Sequence, residues 1–107
     1  MPERLAPLLL IFLSSGALAT EPEPARQAEL LHRLKHDCGS CHGMTLNGGL
    51  GPALLPAQLA ERSDDELVET ILDGLPGTPM PPWRFEIHPA EATWLVRQLK
   101  KGLGNDY

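Results

Sequence analysis

The residues with the most evident chemistry are Cys38-Gly39-Ser40-Cys41-His42. Two thiols three positions apart lie on one side of a helical turn. From there both can add to the vinyl groups along one edge of a porphyrin, forming two thioethers. A histidine directly after the second cysteine can then turn its imidazole onto the iron. Gly39 and Ser40 are small, so little stands between backbone and ring. The pattern C-x-x-C-H is thus the attachment site of a haem c, with Cys38 and Cys41 as thioether residues and His42 as an axial ligand.

Two other chemistries use paired cysteines. A structural zinc site needs four ligands, usually with a second cysteine pair. This chain has two cysteines in all, so the remaining ligands would be scattered histidines. A dithiol redox site wants a βαβ context with a helix opening at the first cysteine, and the sequence offers neither. In an oxidising compartment Cys38 and Cys41 could pair, but so short a loop gains little from closure. Such a bond would be a step before haem addition.

A second axial ligand must come from elsewhere. Met80 is the first candidate, because a thioether favours ferrous iron and raises the potential relative to a second histidine. Pro79 and Pro81 restrict the backbone on both sides of it, which lowers the entropic cost of fixing the sulfur. The plain alternative is that Met80 is a flexible core residue. His88, just past the Pro-rich stretch, is the competing ligand, although its place before Pro89 also suits a helix start. Met44 lies two residues from His42 and cannot readily reach the opposite ring face. His32 and His36 fall on the polar side of the preceding segment and read as solvated, with His36 close enough to tune a haem electrostatically.

Helices must position these groups. Ala25 to His36 carries an apolar stripe of Leu30, Leu31 and Leu34, with Arg26, Glu29, Arg33 and Lys35 on its wet faces. It runs directly into the cysteine pair. Gly43 to Leu55 is a loop, marked by Asn47-Gly48-Gly49 and Gly51-Pro52. Ala57 to Glu61 suits a short helical turn. Ser63-Asp64-Asp65-Glu66 is a capping box opening a helix to Asp73, with Leu67, Val68, Ile71 and Leu72 inward and Gly74 as terminator. Leu75 to Pro82, with Pro76, Pro79, Pro81 and Pro82, can be neither helix nor central strand. Pro89 opens a last helix to about Lys101. Trp94, Leu95, Val96 and Leu99 are its apolar side, and Gly102 ends it. The expectation is an all-α fold of three to four helices with long loops around one covalently held haem.

The chain begins with Met1 to Arg4, an apolar run from Leu5 to Leu13, and Ala17-Leu18-Ala19. That order is a secretory signal peptide over residues 1–19, and the run falls short of the ~20 residues that span a bilayer. Residues 20–24 form a Pro-rich leader and 25–107 one domain. The expected compartment is the periplasm, without a membrane anchor. Net charge is −5 at pH 7, and cleavage leaves it unchanged by removing Glu3 and Arg4. Nucleic acid and anionic membranes are therefore poor partners. The exported chain has few large apolar residues for a core of its own, so it should depend on haem to fold.

Together these features resemble the class I cytochromes c across Ala25 to Gly102: a first helix ending in C-x-x-C-H, a Gly-Pro some ten residues on, a methionine in a Pro-rich loop and a closing amphipathic helix. The resemblance implies that the Pro52 carbonyl accepts a hydrogen bond from His42, and that Leu30, Leu34, Trp94 and Leu95 meet where the terminal helices cross. Gln98 departs from it, standing where many members carry an aromatic residue. The run Gly48-Gly49-Leu50-Gly51-Pro52-Ala53-Leu54 with Gly77-Thr78-Pro79-Met80-Pro81-Pro82-Trp83 is similar to the c55X-type cytochromes of denitrifying bacteria. This implies electron donation to the nitrite reductase carrying haem c and haem d1, or a part in maturation of its d1 haem. A five-coordinate haem sensor or enzyme is a further alternative, although no acid–base or nucleophile constellation accompanies the motif. With Lys35, Lys100 and Lys101 as its only lysines, docking should rest on an apolar patch, with Met44, Leu46, Pro81 and Pro82 as its candidates.

Overall fold

Proline positions set the helix starts. Pro24, Pro56 and Pro89 each stand in the first turn of a helix, where the missing N–H costs nothing. The computed structural model describes residues 3–4, 6–11 and 21–103. Its helices are α1 (Pro24–Arg33), α2 (Gly39–His42), α3 (Pro56–Leu59), α4 (Asp64–Asp73) and α5 (Pro89–Lys101), with a π-helical turn over Leu34–Cys38 between α1 and α2. No strand occurs among the described residues, so the fold is all-α, as expected. Ala17, Leu18 and Ala19, the expected cleavage site, lie outside them. No helix of the described residues is long and apolar enough to cross a membrane.

The first helix differs from its expected course. It neither starts at Ala25 nor stops at His36. It widens after Arg33, so that the Gly39 N–H reaches back to the Leu34 carbonyl five residues earlier, then tightens again through His42. An extra residue in one turn rotates everything after it by about 100°. Leu30 and Leu34 are thereby buried in the core, while the cysteine–histidine stretch is set at a different angle around the axis. The stretch is helical, as the thioether spacing requires.

Ser63 caps α4, its hydroxyl accepting from the Glu66 N–H at 3.2 Å, but the Glu66 side chain does not return to the Ser63 N–H, so only half of the expected capping box forms. Leu72 is buried and Leu67, Val68 and Ile71 pack partly against the core. Leu30, Leu34, Trp94 and Leu95 are all buried, and α1 and α4 both pack on α5. Ile87 joins them at 2% exposure. It has no periodic neighbours in sequence, which is why pattern reasoning missed it.

Two arginines expected on the wet face of α1 do more than keep it solvated. Arg33 pairs with Glu86. The Arg26 Nε donates to the Glu91 carboxylate at 2.6 Å, and its Nη2 reaches the Glu86 carbonyl at 2.8 Å. Glu91 in turn accepts from the His88 N–H at 2.9 Å, capping α5. One buried carboxylate thus ties the start of the first helix to the start of the last. The guanidinium of Arg26 holds the Glu91 carboxyl down at about 2. A carboxyl depressed in the folded state stabilises the protein fully above its unfolded value near 4.5, and the contribution drains away as pH falls toward 2. Glu91→Gln should cost about 1–3 kcal/mol at neutral pH, the scale of a hydrogen bond to a charged group. It should also flatten the acid limb of the stability curve. Thermal melts from pH 2.5 to 7 check this; identical acid slopes in both proteins would remove Glu91 as the cause.

Candidate haem-attachment site

The candidate attachment residues share one short helix and its border. Cys38 closes the π-turn, and Cys41 and His42 lie in α2. Both cysteines are only partly exposed. Burial, helped by Asp37, pushes the Cys38 thiol up to about 11. Among the described residues no group of three or more His, Cys, Asp or Glu side chains is placed to hold a metal ion.

His42 is set by the loop that follows. Its Nδ1 lies 2.7 Å from the Pro52 carbonyl oxygen. A carbonyl can only accept, so Nδ1 carries the proton and the Nε2 lone pair is left for a metal. Gly51 lies directly against the ring: a Cβ there would sit 2.8 Å from Cε1 and Nδ1 of His42. Only glycine lets the backbone pass this close to the imidazole. The loop is closed by Gly48 N–H to the His42 carbonyl and Gly51 N–H to the Cys41 carbonyl, both 2.8 Å. Gly43 turns the chain at φ 93°. The Pro52 contact was legible as a Gly-Pro at the right distance; the steric role of Gly51 was not.

The Met80 loop is braced in the same manner. The Thr78 hydroxyl donates to the Leu75 carbonyl at 2.6 Å and accepts from the Met80 N–H at 3.3 Å. Leu75 N–H donates to the Met80 carbonyl at 3.2 Å. Gly74, at φ 70°, has the Met80 carbonyl pressed against the position a Cβ would take. Trp83 N–H returns to the end of α4 through the Ile71 and Leu72 carbonyls. Arg84 grips Asp73 with two parallel bonds of 2.8 and 2.9 Å. The loop is therefore a closed, pinned arch rather than a loose strap. Met80 is half-buried within it. Sequence reasoning saw the prolines but missed Thr78 and Arg84, whose partners are fixed only by the fold.

His88 is the exposed N-cap residue of α5, in keeping with a helix start. One expected docking residue is corrected. Leu46 is 4% exposed. Its backbone takes φ 62°, and its carbonyl accepts from the Leu54 N–H, so the turn folds the side chain into the core. Met44, by contrast, is 51% exposed and Phe85 78%.

These residues suit a haem c. Cys38 and Cys41 would anchor the ring through its vinyl groups, and the oriented imidazole of His42 and the thioether of Met80 would be the groups offered to iron. Leu54, Leu67, Val68, Ile71 and Trp83 are apolar side chains that the protein covers only in part, as a flat apolar ring requires of its surroundings. When bound, the group supplies reversible one-electron chemistry between ferric and ferrous iron.

Comparison with known proteins agrees. Residues 25–98 match the family described as cytochrome C oxidase, cbb3-type, subunit III. The chain is 48% identical over 98 residues to cytochrome c55X of Paracoccus denitrificans, covering 92% of this chain and 94% of that one. It belongs to the c-type cytochromes. A second cytochrome c55X, from Pseudomonas aeruginosa, is 49% identical over 81% of this chain and 73% of its own length. A solved structure of the c-type cytochrome NirC superposes with a TM-score of 0.74 at 51% identity, covering 75% of this cytochrome and 94% of that chain. A larger protein also contains a similar segment. Dihydro-heme d1 dehydrogenase of Pseudomonas aeruginosa is 37% identical over 85% of this cytochrome but only 18% of its own length. The solved dihydro-heme d1 dehydrogenase NirN in complex with DHE gives a TM-score of 0.61 at 35% identity, covering 74% of this cytochrome and 17% of that chain. The relatives matched over most of their length are cytochromes, and this chain is likewise a cytochrome rather than an enzyme. The fold agrees with that of class I cytochromes c, and the resemblance to the c55X type holds.

Proposed function

We propose that the chain is an exported one-electron carrier of the periplasm, holding a single haem c through Cys38 and Cys41. His42 and Met80 are its axial ligands, and residues 1–19 are the cleaved signal. The observation that carries this reading is the 2.7 Å contact from His42 Nδ1 to the Pro52 carbonyl, which fixes the ring and leaves Nε2 to the iron. The pinned arch around Met80 supports it from the other side. An arch that moves little between oxidation states keeps the reorganisation on electron transfer small. His88 is the weaker ligand, because its backbone is committed to capping α5.

The partner we infer is the nitrite reductase with haem c and haem d1. Support comes from the kinship with cytochromes c55X and from the surface. Met44, Pro81, Pro82 and Phe85 are exposed, and the charges flanking Phe85 are already paired within the chain, Arg84 to Asp73 and Glu86 to Arg33. Docking through such a face is apolar. The experiment is stopped-flow mixing of the reduced cytochrome with oxidised reductase across a salt series. Transfer on the catalytic timescale should change little with ionic strength, since screening acts on exposed charges over ~8–10 Å. A steep salt slope would refute the apolar face, and no transfer would refute the donor role.

A second reading has its own support, the similar segment within dihydro-heme d1 dehydrogenase. In that reading the cytochrome serves d1-haem maturation, as an electron-delivering or carrier factor. Gene deletion separates the two. Cells with fully loaded reductase but slow nitrite reduction have lost a donor; cells whose reductase lacks d1 haem have lost a maturation factor.

A further inference from the structure

The haem site does not use His32 and His36. They stand four residues apart, and both are exposed. Their rings face one another with centroids 4.2 Å apart and planes tilted by 46°. Two histidines at i and i+4 on one helix face are a recurrent pair of metal ligands. Nitrogen–metal bonds of about 2.0–2.1 Å at right angles want donor atoms about 3 Å apart. Centroids 4.2 Å apart place the two imidazoles side by side. His36 lies within the π-turn, and the ring separation shows that the two imidazoles remain neighbours there.

We propose that His32 and His36 form a bidentate site for one divalent first-row cation, with Cu²⁺ the preferred ion. Imidazole suits copper, nickel and zinc, and in the order of divalent affinities copper stands highest. Two cis imidazoles with water in the remaining positions match the tetragonal preference of Cu²⁺. The neighbouring charges do not block it. Arg33 is taken up by Glu86 and Glu29 by Arg26. Magnesium and calcium, which want oxygen donors, are excluded.

The test is calorimetric titration of the haem-loaded ferric protein with CuCl₂ in a non-coordinating buffer, followed by electron paramagnetic resonance of the bound copper. The ferric form is used so that no electron passes from iron to copper. One equivalent should bind with a two-nitrogen hyperfine pattern. His32→Gln or His36→Gln should each weaken it at least about tenfold, because the second nitrogen binds at high effective concentration. Both variants sit on the surface, and unchanged circular dichroism and haem absorption confirm their fold. His88→Gln should leave binding unchanged. A double variant that still takes one equivalent with undiminished affinity would overturn the site, as would a single-nitrogen pattern in the wild-type protein. A matching loss on His88→Gln would assign the copper elsewhere and overturn it too.

Discussion

Met80→Ala is expected to lower the reduction potential by a sizeable part of the roughly 0.8 V span that axial ligands command. It should also abolish the weak long-wavelength absorption of a methionine–ferric bond. The thioether stabilises ferrous iron more than ferric iron, so its loss favours the oxidised state. The arch should survive the change, because its bracing runs through the backbone of residue 80 and the hydroxyl of Thr78, none of which alanine removes. The effect is therefore one of ligation, not of unfolding, and the thermal transition should move little. Reduced Met80→Ala should bind carbon monoxide rapidly, where the parent protein binds it slowly or not at all. Redox titration and spectra decide the matter. An unchanged spectrum would make His88 or water the sixth ligand, and rapid carbon monoxide binding by the parent would support a five-coordinate sensor instead.

The haem-free wild-type chain is expected to lack a cooperative thermal transition. Domains of this size hold about 0.05–0.15 kcal/mol per residue, a margin of roughly 4–13 kcal/mol over residues 20–107. A covalently tethered group that fits only the folded state contributes on the scale of several kcal/mol by mass action. Much of the apolar surface of α4 and its loops, Leu67, Val68, Ile71, Leu54 and Trp83, is only partly covered by protein. The loop that follows His42 is tied mainly to itself and to α2, and the Met80 loop to itself and to α4. Far-ultraviolet circular dichroism of the haem-free chain should show reduced helix and a broad, non-cooperative melt. A sharp transition with native near-ultraviolet signals would show that the protein core suffices alone.

The sequence by itself determined the candidate chemistry. Cys38, Cys41 and His42 lie within five residues, and local spacing is all that thioether formation asks for. It also determined α4 and α5, because caps and terminators act over three or four residues: Ser63 on Glu66, Pro89 at a helix start, Gly74 and Gly102 at the ends. What tertiary structure alone decided are the pairings between distant residues. Arg26 with Glu91 spans 65 positions and Arg33 with Glu86 spans 53, and charge patterns carry no partner information over such distances. The burial of Leu46 depended on a left-handed backbone that leucine rarely adopts, so its hydrophobicity alone could place it in the core or on a docking face. The π-turn over Leu34–Cys38 left no mark in residue types, since it answers to two demands at once. The first helix must bury Leu30 and Leu34 against α5 and still deliver Cys38, Cys41 and His42 at another angle, and only the packed molecule brings those demands together.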